Sequence, residues 1–272
     1  MHVVAPGSPG CRVVSGVTVW TVGGGDLFGW PGMVARLRER PARLGHLPPF
    51  AARAAHRLRA LDASRVVAHF LLPAGIVALA ARAPIELVGH GSDVRLLARL
   101  PGRATLVRAW LDRGASVRFV SSALLDLLAA SLPAPLGQEL RRASHVAPPL
   151  VEVHDVADRA RELRRRARRG RELWVSVGRL VPGKRVERGI ALAAAAGADL
   201  VVVGDGPERA RLEAVAASRR VRATFVGKVE RREALAWIAA SDRVVHTSAA
   251  EGASSVLAEA AALGVPVVGA ER

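Results

Sequence analysis

The chain has 272 residues and a formal charge of +16, from 40 Lys and Arg against 24 Asp and Glu, and half of its residues are hydrophobic. That composition excludes a disordered or fibrous chain and supplies enough apolar side chain for about two domains with real cores. All but two of the basic residues are Arg, the exceptions being Lys184 and Lys228, and Tyr is absent. This is the habit of a GC-rich genome, so the basic excess is weak evidence for a nucleic-acid partner and none is expected. Cys11 stands alone, so the fold needs no oxidising compartment. The longest apolar stretch, 68–81, carries His69 and Pro73 and falls short of the ~18 residues of a spanning helix. The first residues lack the pattern of a signal peptide. A cytoplasmic protein is expected, at most peripheral on the inner face of the membrane.

In the first half, strands are expected at 2–5, 17–22, 66–69, 85–88 and 117–120, and helices around 31–43, 50–61, 73–81 and 123–131. This alternation is the pattern of a parallel sheet with helices packed on its faces. Arg36, Arg38, Arg40 and Arg43 with Val34, Leu37 and Leu44, then Arg53, Arg57 and Arg59 with Phe50 and Leu58, form basic amphipathic faces suited to an anionic membrane surface. In ELVGHGSD, from Glu86 to Asp93, His90 ends a buried strand between two glycines, an exposed and adaptable place rather than a core one, and is read as functional. Ser92 and Asp93 read as N-cap residues of a following helix.

Pro148 and Pro149 stop the preceding element, and an Arg-rich run follows over 155–171. Prolines and a charge run mark a boundary, so the expected organisation is an N-terminal domain over 1–154, a solvated linker helix over 155–171 and a C-terminal domain over 172–272. The last reads as a five-strand doubly wound unit, with strands at 173–177, 199–203, 223–226, 243–246 and 265–268 and helices at 186–196, 207–219, 231–240 and 254–263.

Four of its segments carry candidate chemistry. In VSVGRLVPGK, from Val175 to Lys184, a strand ends at Gly178 and two cations follow, Arg179 and Lys184. The carboxyl edge of an open parallel sheet is its ligand crevice, and a guanidinium fork with a lysine point charge suits a phosphate chain. VVVGDGP, from Val201 to Pro207, is a strand running into a tight turn; Arg209 replaces the third glycine of a dinucleotide fingerprint, which leaves Gly204 and Asp205 near a ligand rather than a full motif. FVGKV, from Phe225 to Val229, ends the next strand at the same edge, where backbone groups meet a flat base. EGASSVLAE, from Glu251 to Glu259, opens a helix whose free N–H groups at Gly252, Ala253, Ser254 and Ser255 attract a diphosphate. Glu259 lies eight residues past Glu251, about two turns on and ~80° round the axis, so one acid can hold hydroxyls near the phosphates and the other a more distant polyol such as ribose. The sequence has no D-x-D pair, no clustered metal ligands, no nucleophile elbow and no P-loop, and no metal or other cofactor is expected.

Taken together, VGRLVPGK, VVVGDGP, FVGKV and EGASSVLAEAAALGVPVV in this order, with HFLLPAG, GHGSDV and VRFVSSALLDLL before them, resemble the family-four retaining glycosyltransferases. The resemblance implies an α/β chain of two Rossmann-like domains facing across a cleft, the GT-B fold. The first β-α unit of the N-terminal domain and the last elements of the C-terminal one are missing from the match. It implies metal-independent, retaining transfer of a sugar from a nucleotide-diphosphate donor, held by the C-terminal domain, to a glycan, lipid-linked or small-molecule acceptor held by the N-terminal one. Arg179 and Lys184 would bind the diphosphate and stabilise the leaving group, with Gly252, Ala253, Ser254 and Ser255 at the same phosphates. Glu251 would contact the donor sugar, Glu259 the ribose, Gly204, Asp205 and Val229 the ribose and base, and His90 the sugar near the reacting centre. The alternatives are a sugar-nucleotide epimerase of the same fold, a truncated and inactive nucleotide-sugar-binding relative and, from another class, a basic nucleic-acid-binding protein.

Overall fold

A computed structural model of the chain describes residues 1–29, 32–148, 150–167, 170–248 and 254–269. They form two compact units, Met1–Pro148 and Pro149–Arg272.

The first unit opens with β1 (His2–Ala5), β2 (Gly7–Val14) and β3 (Val17–Gly23), a three-stranded sheet in the order β1-β3-β2. β1 runs parallel to β3 and β2 antiparallel to it. Ser15 and Gly16 join β2 to β3 with φ of 49° and 77°, the left-handed pair that a two-residue hairpin turn requires. β2 was not expected, because it carries two glycines and a proline and is exposed along almost its whole length, so no apolar alternation marks it. The helix expected over 31–43 is divided into α1 (Met33–Glu39) and a 3-10 segment Pro41–His46. Pro41 forces Arg40 out of the helical region, to φ −146° and ψ 92°. α2 (Leu47–Ala60) takes prolines into its first turn, where their missing N–H groups cost nothing.

The rest of this unit is a second sheet, β4 (Val66–His69), β5 (Ile85–Gly89), β6 (Ser116–Phe119) and β7 (Ser144–Val146), all parallel and in chain order. Between the strands run α3 (Ala74–Ala78), α4 (Ser92–Leu97), α5 (Arg103–Asp112), α6 (Ser122–Ala130) and α7 (Ala134–Arg142). β5 is buried at every position, and its one charged residue, Glu86, is paired accordingly: Arg65 and Arg118 both reach its carboxylate, the latter with Nε at 3.2 Å. β1 and β4 each stand at the edge of their sheet.

The second unit opens with α8 (Ala157–Ala167), followed by β8 (Leu173–Val177), α9 (Val186–Ala196), β9 (Asp199–Val203), α10 (Arg209–Ser218), β10 (Ala223–Gly227), α11 (Arg231–Ala240), β11 (Arg243–Val245), α12 (Ser255–Ala262) and β12 (Val267–Val268). The five strands are parallel in the order β10-β9-β8-β11-β12, the doubly wound unit expected. Alternation along β8 sorts the two cores: Leu173 and Val175 pack with Leu163, Leu235 and Ala260 on one face, and Trp174 with Ile190 and Leu212 on the other. The Arg-rich helix expected as a solvated linker is a member of this unit. Ala160 and Leu163 of α8 enter the core, Arg159 grips Glu233 at 2.7 Å, and Arg164 binds Asp242 and the Ala240 carbonyl. An i, i+3 apolar pair inside a charge run is enough to seat a helix. Among the described residues no helix is long and apolar enough to cross a membrane.

Candidate functional site

In the second unit the parallel strands bring their carboxyl ends to one edge. β8 ends at Val177; Gly178 (φ 154°) follows and releases Arg179, which is exposed, while Leu180 turns back into the core. A short 3-10 segment, Pro182–Lys184, follows. Lys184 folds back over the strand end, its Cε 3.7 Å from the point where a Cβ on Gly178 would stand, so its aliphatic stem covers the glycine. Thr247, just beyond β11, is buried, and its Oγ1 is 3.1 Å from the Lys184 carbonyl and 2.8 Å from that of Arg185, a shared hydroxyl donation that fixes the entry to α9.

The 204–206 turn meets this loop backbone to backbone. Gly178 donates to the Val203 carbonyl at 2.9 Å, Leu180 to that of Asp205 at 2.9 Å, and Gly204 to that of Gly227 at 2.8 Å. A Cβ on Gly204 would fall 1.8 Å from the Gly178 oxygen, and one on Gly206 2.4 Å from the Leu180 oxygen, so the glycines are required by close approach. The Asp205 carboxylate accepts from the Gly206 N–H at 2.8 Å and from Arg209 at 3.3 Å, and Arg209 also donates to the Phe225 carbonyl at 3.1 Å. The residue that spoils the dinucleotide fingerprint is thus the one that ties the ends of β9 and β10 together. Val229 turns its side chain against the core.

Ser254 occupies the N-cap position of α12 in extended conformation but makes no side-chain cap bond, and Ser255 begins the helix exposed. Glu259 is buried at 7% exposure and held by Arg231 of α11, Nη2 to Oε1 at 3.1 Å. Glu251, Gly252 and Ala253 lie outside the described residues. Among those described, no group of three or more His, Cys, Asp and Glu is placed to hold a metal ion.

In the first unit, His90 follows β5 and is half-buried. Its Nε2 lies 3.0 Å from Nδ1 of His69, which ends the neighbouring β4, and the ring centroids are 5.2 Å apart with planes 25° from parallel. The Phe70 ring tilts against His90 at 4.6 Å. Asp93 is not a helix cap, contrary to expectation, because Gly91 is the N-cap and α4 begins at Ser92. Its buried carboxylate accepts from the backbone N–H of Leu71 at 2.7 Å, His90 at 3.1 Å and Gly91 at 2.8 Å, clamping the ends of β4 and β5. Burial pushes the His90 imidazole down from its ordinary value; Asp93 opposes this, and charge on His69 and Arg118 adds to it. His69, the Asp93 clamp, Thr247 and Arg231 were not singled out in the sequence. For His69 a signal was present: it closes VVAH as His90 closes ELVGH, on adjacent parallel strands.

Residues 159–271 match the sequence profile of the family described as Glycosyl transferases group 1. The chain is 40% identical over 121 residues to a GDP-mannose-dependent alpha-mannosyltransferase of Mycobacterium tuberculosis (strain CDC 1551 / Oshkosh), covering 43% of this chain and 31% of that enzyme. With the enzyme of the same description from Mycolicibacterium smegmatis the identity is 39% over 99 residues, 36% of this chain and 25% of that one. The chain thus spans less than a third of the length of these relatives. The solved sucrose-phosphate synthase of Thermosynechococcus elongatus superposes with a TM-score of 0.69 at 20% identity, over 98% of this chain and 70% of that one, which extends the likeness of fold to both α/β units. The likeness in sequence to the glycosyl transferases group 1 family therefore lies in residues 159–271, inside the second unit.

Proposed function

We propose that the protein is a glycosyltransferase that moves a hexose from a nucleotide-diphosphate donor to a glycan or lipid-linked acceptor, with retention and without a metal ion. The observation that carries this reading is the pair of cations at the carboxyl end of β8, Arg179 on the exposed turn and Lys184 laid over Gly178, inside the segment that matches the family. Such a pair meets diphosphate charge electrostatically, both in the bound donor and in the leaving nucleotide. Ser254 at the start of α12 supports the same phosphates, Glu259 the ribose, and Gly204, Asp205 and Val229 the base. His90, half-buried and disposed to stay neutral, suits a hydrogen bond to a sugar. The names of the two mycobacterial relatives make GDP-mannose the first donor to try.

The exposed Arg38, Arg40 and Leu44 support contact with an anionic membrane surface, whereas Arg36 and Arg43 are turned to Asp26, and Arg57 lies over Trp20. Calorimetric titration of the chain with GDP, GDP-mannose and UDP in the absence of metal tests the donor site. One nucleotide is expected to bind, and the Arg179→Ala, Lys184→Ala double variant to lose about 100-fold in affinity, two charge-assisted contacts' worth. Equal binding by wild type and variant removes the reading.

A further inference from the structure

The end of β4 carries a feature that the function proposed above does not use. In the run Phe70-Leu71-Leu72, both leucines are buried but Phe70 is 48% exposed, and its φ is 74°. A bulky residue in the left-handed region is disfavoured, because its Cβ crowds the following carbonyl oxygen. The conformation is imposed from both sides: the Phe70 N–H is bonded to the Val88 carbonyl at 2.9 Å and the Leu71 N–H to buried Asp93 at 2.7 Å. Glycine at this position would relieve the backbone and remove an exposed apolar ring. A strained, exposed aromatic beside two paired imidazoles therefore calls for a role outside the core.

The imidazoles give that role its chemistry. At 3.0 Å, His69 Nδ1 and His90 Nε2 are within hydrogen-bond distance, and in the neutral form of the pair one proton lies between them. Whichever ring donates it, the two outward nitrogens, His69 Nε2 and His90 Nδ1, are left as one donor and one acceptor. That is a match for neighbouring hydroxyls, each of which can give and take a hydrogen bond. The face of the Phe70 ring offers the apolar half of the same recognition, since the axial C–H groups of a pyranose form a patch that packs on the negative face of an aromatic ring.

We propose that Phe70, with the His69–His90 pair beside it, is a specificity-determining residue that stacks on a sugar ring at the carboxyl edge of β4 and β5. Taking that sugar to be the acceptor rests on the function proposed above; the binding of a sugar there does not.

The test is saturation-transfer NMR on the full chain with methyl α-mannopyranoside and methyl α-glucopyranoside as probes, comparing wild type, Phe70→Gly and Phe70→Trp, with melting curves and a GDP titration for each. Wild type and Phe70→Trp are expected to bind at least one glycoside. Phe70→Gly should lose about fivefold or more in saccharide affinity, the worth of an aromatic contact, while melting no lower than wild type and keeping its affinity for GDP. Absence of glycoside binding by the wild type overturns the proposal. Undiminished binding by Phe70→Gly overturns it too, as does a lowered melting temperature in that variant, which would mark Phe70 as a packing residue. If GDP fails to bind but the glycoside pattern holds, the sugar site stands and the donor reading falls.

Discussion

Arg231 on α11 reaches across to α12 and sets Nη2 3.1 Å from Oε1 of Glu259, a half-exposed guanidinium on a buried carboxylate. Truncating Arg231 strands that charge. Arg231→Ala is expected to cost about 1–2 kcal/mol in urea unfolding, the penalty of an unpaired buried acid with some access to water, and adding Glu259→Gln should recover part of the loss. A double variant whose loss equals the sum of the single ones would show that the two side chains do not interact.

His90 gives a pH dependence of definite sign. Its folded-state pKa lies below the ordinary 6.5, chiefly through burial. The unfolded chain therefore binds more protons than the folded one below 6.5, so this contribution to stability is complete above 6.5 and is lost as pH falls through that value toward the folded midpoint. The His90 Cε1–H resonance should titrate below 6.5, and His69→Gln should move its midpoint upward by removing a like charge. A wild-type midpoint at or above 6.5 would contradict the burial of the ring.

Gly204→Ala places a Cβ against the Gly178 oxygen, a clash of backbone on backbone that no rotamer relieves. A loss of about 3 kcal/mol or more is expected, with weakened nucleotide binding. Gly183→Ala, where a Cβ meets nothing within 4 Å, serves as the control. Similar melting temperatures for the two variants would show that the 178–180 and 204–206 loops are not in contact.

Thr247→Val keeps the shape of a buried side chain and removes the hydroxyl that the Lys184 and Arg185 carbonyls share. Stability should fall by about 1 kcal/mol. Amide exchange should quicken at residues 184–188, and diphosphate affinity should drop even though Thr247 itself is not placed at the ligand. Unchanged exchange there would mean that the loop is held by other contacts.

Legibility in the sequence followed the strength of the apolar pattern. β8 and β9, buried almost throughout, and the helices α9 and α11 have the expected bounds to the residue. β2 and β7 escaped because exposed edge strands carry no alternation, and α8 was misjudged because Ala160 and Leu163 are outnumbered by the arginines around them. Of the candidate residues, Arg179, Lys184 and Gly204 in the second unit and His90 in the first each stand where a strand runs into a turn, a junction that composition marks. Asp93 and Thr247 act through hydrogen bonds to backbone atoms far along the chain, which leave no trace in local spacing. The Arg231–Glu259 pair required the register of two helices to be known.

The edge positions of β1 and β4 bear on how the protein behaves in concentrated solution. A parallel edge strand turns the N–H and C=O groups of alternate residues outward, a row that another extended chain can complete. Opposing this is the charge of +16 on every copy, a repulsion that reaches about 10 Å at 0.1 M salt and about 3 Å at 1 M. Self-association through these edges is therefore expected to grow with ionic strength, low salt keeping copies dispersed and high salt letting sheet edges approach one another.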